Sequence, residues 1–409
     1  MPYKRSKKQD MQLYDTLRGH KAPLTIPTDR PLTLYVCGVT PYDTTHVGHA
    51  HTFLIFDVLI RYVRSQGGDV LYCQNVTDVD DPLFERANRD KIDWYELAVR
   101  ETNQFRADCD ALGLIRPNFF PKASEEIPGM IKIVEKLLEK GLAYERNGSV
   151  YYDVSEFENY GELAHMDYDE MLRTANERGN NPNDPNKTDP LDFVLWTAAK
   201  EGEASWDSPW SKGRPGWHIE CTTMSTRYLG DQIDIHGGGR DLIFPHHPSE
   251  VAQTEGATGK HPFVNFWVHG GLLWLDGQKM SKSLGNMVFV RDVVKEQRPD
   301  ALRWYLLTTP YREDMHYERS GPAQSEREID RLIEALGVAS GEGPAYDASQ
   351  ARDEIIAAIA DDLNTPLALA LLSGLVSDII DAAAAGKNVS DAQAALRQVA
   401  QIFGFQAAA

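Results

Sequence analysis

Two short apolar runs separated by a helical pattern constrain the fold more than any other feature of this chain. Residues 32–39 read LTLYVCGV and residues 70–76 read VLYCQNV, both of strand length and rich in β-branched and aromatic residues. Between them Phe53, Phe56, Leu59 and Tyr62 recur on one face, which predicts a helix from about His49 to Gln66. Strand, helix and strand in this order form a parallel crossover, the unit of a doubly wound, Rossmann-like α/β sheet. Ligands of such sheets sit beyond the carboxyl ends of the strands, where Cys37 to Asp43 and Thr77 to Asp81 fall.

The remainder of the 409 residues divides by composition. Met1 to Asp10 is a basic arm without an apolar stretch, expected to be disordered and not a signal peptide. Residues 11–310 are expected to form the catalytic body, with a helical insertion over about 95–190. Within it Ile127 to Gly141 has a helical period and a glycine cap, and Arg178 to Pro190 is an Asn/Pro/Asp-rich loop. A helical segment is expected over 311–338, then a linker near Ala339 to Ser349 and an alanine- and leucine-rich helical domain over 350–409. No run of about 18 apolar residues stands out, so no membrane span is expected. The formal charge of −19 argues against nonspecific nucleic-acid binding, since phosphate neutralisation needs clustered Lys and Arg. Four widely spaced cysteines, Cys37, Cys73, Cys109 and Cys221, fit a reduced cytoplasmic setting better than a disulfide framework.

Three clusters carry chemistry. His46-Val47-Gly48-His49 opens the first helix, where backbone N–H groups and imidazoles suit a phosphate chain and Gly48 permits close approach. Lys279-Met280-Ser281-Lys282-Ser283 is a cationic loop able to follow pyrophosphate as charge develops. The third cluster is dispersed: Cys37 near the end of the first strand, Cys221 in GRPGWHIEC, and His246, His247 and Glu250 in FPHHPSE. Thiolate, imidazole and carboxylate suit tetrahedral Zn²⁺. His246 and Glu250, four apart, share a face if this stretch opens a helix. A zinc hydrolase would need HExxH-like spacing, which the sequence lacks.

HVGH and KMSKS, in this order, resemble the two signatures of class I aminoacyl-tRNA synthetases. YVCGVTPYDTTHVGH, NVTDVDD, DPLDFVLW, GRPGWHIEC and IDIHGGGRDLIFPHH are similar to cysteinyl-tRNA synthetases over roughly residues 11–320. The resemblance implies one Zn²⁺ per chain on Cys37, Cys221, His246 and Glu250. It implies a cysteine pocket of Cys37, Gly38, Thr77, Trp217 and His236, and ATP contacts from His46, Gly48, His49 and Lys282, with Mg²⁺ accompanying ATP. It further implies catalysis of adenylation by His46, His49, Lys279 and Lys282, and a monomeric enzyme. Two acceptors stay open: tRNA-Cys, and the glucosaminyl-inositol of the homologous mycothiol-pathway cysteine ligase. The chain stops after LRQVAQIFGF, where a basic anticodon-binding tail is usual, and DPLFERA resembles the sugar ligase; Glu250, His236 and ADDLNTP resemble the tRNA enzymes.

Overall fold

In this computed structural model residues 11–42, 45–200, 204–275, 277–279 and 287–409 are described, the side chain of Lys279 excepted. Four parallel strands form the central sheet in the order Val264–Gly270, Ile233–Gly239, Leu32–Val39, Val70–Val76. From Leu32–Val39 the chain first crosses to Val70–Val76 on one side and later returns to Ile233–Gly239 on the other. The strand order therefore reverses at the carboxyl ends of Leu32–Val39 and Ile233–Gly239, which opens the crevice where doubly wound sheets bind ligands.

The helix Val47–Ser65 is apolar around most of its girth, with Leu54, Phe56, Val58, Ile60 and Val63 all buried. Such a helix needs cover on both sides. The sheet supplies one, and the C-terminal helix Ser390–Ile402 packs against it as another. Its N-cap is His46, whose backbone is extended and whose Nδ1 accepts the His49 N–H at 3.3 Å. Gly48 is required there, because a Cβ would stand 2.8 Å from His46 Nδ1.

The insertion expected to be helical is mixed. Helices Trp94–Ala111, Ile127–Glu139 and Tyr168–Glu177 are present, but Ala143–Arg146 and Ser149–Tyr152 form an antiparallel hairpin. The hairpin pairs with Phe193–Ala198, which pairs in turn with Gly213–Pro215. Asn147-Gly148 makes its turn, with φ of 52° and 78°. Asn-Gly between short apolar runs is a strong hairpin signal, since both residues tolerate the left-handed region. The segment expected to be helical over 311–338 also begins as a strand: Met315–Tyr317 pairs in parallel with Leu273–Leu275, and the helix spans Gly321–Gly337.

Helices Ser349–Ala360, Thr365–Ala384 and Ser390–Ile402 make the C-terminal bundle. Thr365–Ala384 is long and apolar enough to cross a membrane, with a mean hydropathy of 1.8, contrary to the sequence expectation. Here Leu369, Leu372, Leu375, Val376 and Ile379 are buried against the neighbouring helices, so the apolarity is that of a bundle's central helix.

Candidate functional site

The crevice at the strand reversal collects residues from three separate elements. Cys37 lies near the end of Leu32–Val39, Cys221 in the second turn of the helix Trp217–Leu229, and His246 and Glu250 in the first turns of the helix His246–Thr258. One donor atom from each of the four lies within 4.8 Å of the others, and all four side chains are buried. Cys37 Sγ is 3.8 Å from both Cys221 Sγ and Glu250 Oε1. His246 Nε2 stands 3.1 Å from Glu250 Oε1, off the direction of a hydrogen bond, and has no hydrogen-bond partner. Two sulfurs, an imidazole nitrogen lacking a partner and a carboxylate oxygen converging in a buried place fit a soft divalent ion.

The charges of this quartet are interdependent. Burial pushes the Cys37 thiol well up, and its neighbours Cys221 and Glu250 push the same way. Burial acts equally on Cys221, but the proton donated by Cys37 and the charge of His246 outweigh it and bring its thiol down. His246 is driven up against burial by Cys221 and Glu250, and Glu250 is driven down against burial by His236 and His246. These directions leave Cys37 a thiol and set the negative charges of Cys221 and Glu250 against the single positive charge of His246.

More histidines back the quartet. His218 Nδ1 is 2.8 Å from His246 Nδ1. His247 Nε2 approaches Cys37 Sγ at 3.4 Å, and its Nδ1 bonds His269 Nε2 at 2.7 Å; His269 Nδ1 in turn bonds Thr16 Oγ1 at 2.7 Å. Cys37, His236, His247 and Glu250 make a second quartet that satisfies the same 4.8 Å condition. Nothing in the sequence pointed to His218 or His269, because their partners lie on other elements.

The residues expected to line a cysteine pocket take different places. Gly38 packs where a Cβ would meet the Asn75 carbonyl oxygen at 1.7 Å, and its N–H donates to Asn75 Oδ1 at 2.8 Å. Thr77 Oγ1 accepts from Asn75 Nδ2 at 3.1 Å. Trp217 is 39% exposed and stacks on His246 with ring centroids 4.1 Å apart, so its face is open to a ligand. His236 is not an open wall: it is fully buried, stacked on Trp267, and bonds Glu250 Oε2 through Nε2 at 3.0 Å. Its place is behind the carboxylate. His46 and His49 stack at 3.7 Å at the head of their helix. Lys279 ends the strand Gln278–Lys279, opposite Trp274; its side chain and residues 280–286, Lys282 included, lie outside the described residues.

The architecture is that of class I aminoacyl-tRNA synthetases. The structure of Mycobacterium tuberculosis methionyl-tRNA synthetase bound by methionyl-adenylate superposes with a TM-score of 0.67, covering 91% of each chain at 15% identity, a likeness of fold. Residues 24–327 match the tRNA synthetases class I (C) catalytic domain, and residues 354–407 match the DALR domain. The chain belongs to that class I (C) family. It is 41% identical to cysteine--tRNA ligase of Legionella pneumophila (strain Corby) over 402 residues, 97% of this chain and 85% of the relative. It is also 46% identical over 363 residues to L-cysteine:1D-myo-inositol 2-amino-2-deoxy-alpha-D-glucopyranoside ligase of Stackebrandtia nassauensis, covering 88% of this chain and 83% of that one.

Proposed function

We propose that this chain activates L-cysteine with ATP to give cysteinyl-adenylate and pyrophosphate, and passes the cysteinyl group to tRNA-Cys. The observation that carries the reading is the meeting of Cys37, Cys221, His246 and Glu250 at the switch point of the sheet. These four would hold Zn²⁺. When bound, the ion supplies a soft acceptor that prefers a thiolate to a hydroxyl, a distinction that pocket shape alone makes by only ~10²-fold.

The protein's own work is positioning and charge stabilisation. The substrate carboxylate attacks the α-phosphorus in line and pyrophosphate leaves; the carboxylate is already ionised, so no base is needed. His46 and His49, at a helix N-terminus, contact the phosphates that ATP brings with Mg²⁺, and Gly48 lets them approach. Lys279 and Lys282 neutralise the leaving pyrophosphate. Trp217 offers its open face to the amino acid.

The 46% identity to the sugar ligase favours a second reading, in which the acceptor is the amine of glucosaminyl-inositol. Labelled cysteine and ATP, offered with tRNA-Cys and with glucosaminyl-inositol in parallel, separates the two. Label on the RNA is expected; label on the sugar alone would replace the acceptor and leave the adenylation reading standing.

Two further outcomes are expected of the metal. Because Cys37 and His246 are protonated in the free centre, zinc uptake at neutral pH should release about two protons. Calorimetry in buffers of different ionisation enthalpy reads that number, and zinc affinity should fall as pH drops. Replacing His218 with alanine removes the outer partner of His246 and should weaken zinc by about 10–100-fold in chelator competition.

A further inference from the structure

A cavity lies on the face of the sheet opposite the metal quartet. It opens between the helix Val47–Ser65, the helix Trp94–Ala111 and residues 114–120, which run along the outer edge of Val70–Val76. Along that edge Asn118 N donates to the Tyr72 carbonyl at 2.8 Å, and Gln74 N donates to the Phe119 carbonyl at 3.1 Å. Side chains alternate along a strand. Cys73 therefore turns into the core that holds Cys37 and Cys221, while Tyr72 and Gln74 turn the other way, into the cavity. The space open to the centres of water-sized molecules is about 90 Å³, where one water needs about 10–15 Å³.

The walls are aromatic. Phe105 stands edge-on to Phe53 with centroids 5.6 Å apart, and lies parallel to Phe120 at 6.1 Å. The floor is polar. Tyr72 is 5% exposed and Gln74 4%, yet neither the hydroxyl nor the side-chain amide has a hydrogen-bond partner among the described residues. Side-chain polar groups buried this far are nearly always bonded. Burial, with Cys109 and Asp57 adding to it, holds the Tyr72 hydroxyl well up, so it remains a donor.

The carboxylates around the cavity are committed. Asp57 accepts from Arg61 and from the Ile115 N–H, each at 2.8 Å, and Asp110 holds Arg116 through both oxygens, at 2.8 and 2.7 Å. Arg106 is different. It is exposed at the mouth, its guanidinium stands 6.0 Å from the centroid of the Phe120 ring, and it forms no salt bridge among the described residues. A slot with aromatic walls, a hydroxyl and an amide at its floor and a cation at its mouth matches a ligand with two ends. One end is a flat ring whose edge both donates and accepts, and the other is an anion. The narrow space favours a single ring.

We propose that this cavity binds a pyrimidine nucleoside monophosphate, the base between the phenylalanines with its edge on Tyr72 and Gln74, and the phosphate at Arg106. The Gln74 amide meets cytosine or uracil alike, because it carries both a donor and an acceptor. The site is separate from the crevice of the metal quartet and does not rest on the adenylation reading.

The test titrates CMP, UMP and cytidine into the zinc-loaded full chain by calorimetry, with and without saturating ATP and Mg²⁺. One CMP or UMP per chain is expected to bind with a Kd below about 1 mM, whether or not ATP is present. Gln74→Met keeps the side chain's volume and removes two neutral hydrogen bonds, so it should weaken CMP about tenfold. Tyr72→Phe removes one bond and should weaken it about threefold. Arg106→Gln, at an exposed position, should weaken CMP and leave cytidine unchanged. Thermal melting of each variant shows that it is folded. Binding of neither nucleotide at several millimolar overturns the proposal, as does binding that saturating ATP abolishes, which would place the nucleotide in the catalytic crevice. Affinities for CMP within about twofold of the parent's in both Gln74→Met and Arg106→Gln, against the expected tenfold in the first, overturn it as well.

Discussion

Replacing Cys221 with serine is expected to abolish stoichiometric zinc binding and lower kcat/KM for cysteine by more than roughly a hundredfold, beyond what loss of an outer partner does. The change removes one atom type from a centre whose four donors lie within 4.8 Å of one another. Serine is nearly isosteric, so the helix Trp217–Leu229 keeps its packing, with Ile219 and Met224 still buried. A neutral hydroxyl, however, neither carries the charge that Cys221 holds nor bonds a soft ion well. The loss also unbalances the site electrically. His246 is held protonated chiefly by the Cys221 thiolate and Glu250, and without the thiolate that hold weakens. Selectivity should change as well as rate: the residual enzyme must choose between cysteine and serine by shape, which yields at most ~10². Metal analysis after dialysis and exchange assays with both amino acids read these outcomes. Cys109→Ser is the control, because Cys109 lies on the helix Trp94–Ala111, outside either quartet, and should keep full zinc and activity. Full zinc in Cys221→Ser would mean that Cys37, His236, His247 and Glu250 hold the ion, and the ligand assignment would have to be redrawn around His247.

Much of this site was legible because the strands that build it are short, apolar and bounded by turn residues. Leu32–Val39 and Val70–Val76 coincide with the two runs in the sequence, and the crossover rule places their carboxyl ends side by side. The metal quartet was not legible from spacing. Cys37 and Cys221 are 184 residues apart, and no local pattern brings such residues together; only family resemblance suggested the set. His236 too was reached by resemblance and not by pattern. Its strand is buried on both faces, so alternation cannot tell which face looks into the crevice, and the side chain turned out to lie behind Glu250. Glu220 was invisible for a related reason. A glutamate beside a cysteine on a helix looks solvated in sequence, and only packing takes it from water. The hairpin at Asn147-Gly148 is different: its signal was present and was outweighed by the helical periods on either side.

The C-terminal helices should matter to the catalytic helix through one side chain, Arg303, and Arg303→Met is expected to destabilise the fold by about 3 kcal/mol. Arg303 is fully buried. Its Nη2 donates to Asp57 on the helix that His46 caps, Nη1 donates to the Leu112 carbonyl at 2.9 Å, and Nε donates to the Phe403 carbonyl at 3.0 Å. One guanidinium thus ties the signature helix, the end of Trp94–Ala111 and the last turn of the bundle. Gly404, with a φ of 72°, is the turn that permits it, since a Cβ there would fall 2.1 Å from Nη2. Methionine fills the space but leaves Asp57 with the Arg61 guanidinium and the Ile115 N–H, each at 2.8 Å, and two carbonyls without their donor. That partial compensation by Arg61 puts the cost at the lower end of about 3–5 kcal/mol for breaking a buried ion pair. The sign of the pH dependence follows from Asp57, whose carboxyl stays low although burial opposes it, because Arg303 and Arg61 outweigh burial. A carboxyl with a depressed folded value stabilises above its unfolded value, near about 4, and loses that contribution as pH falls through the folded value. The parent should therefore lose stability on acidification below about pH 4, and Arg303→Met should lose less over the same range, the two curves converging. Urea unfolding at a series of pH values measures both the gap and its closure. A gap that stays constant through acid would place the cost in lost packing and remove Asp57 from the account.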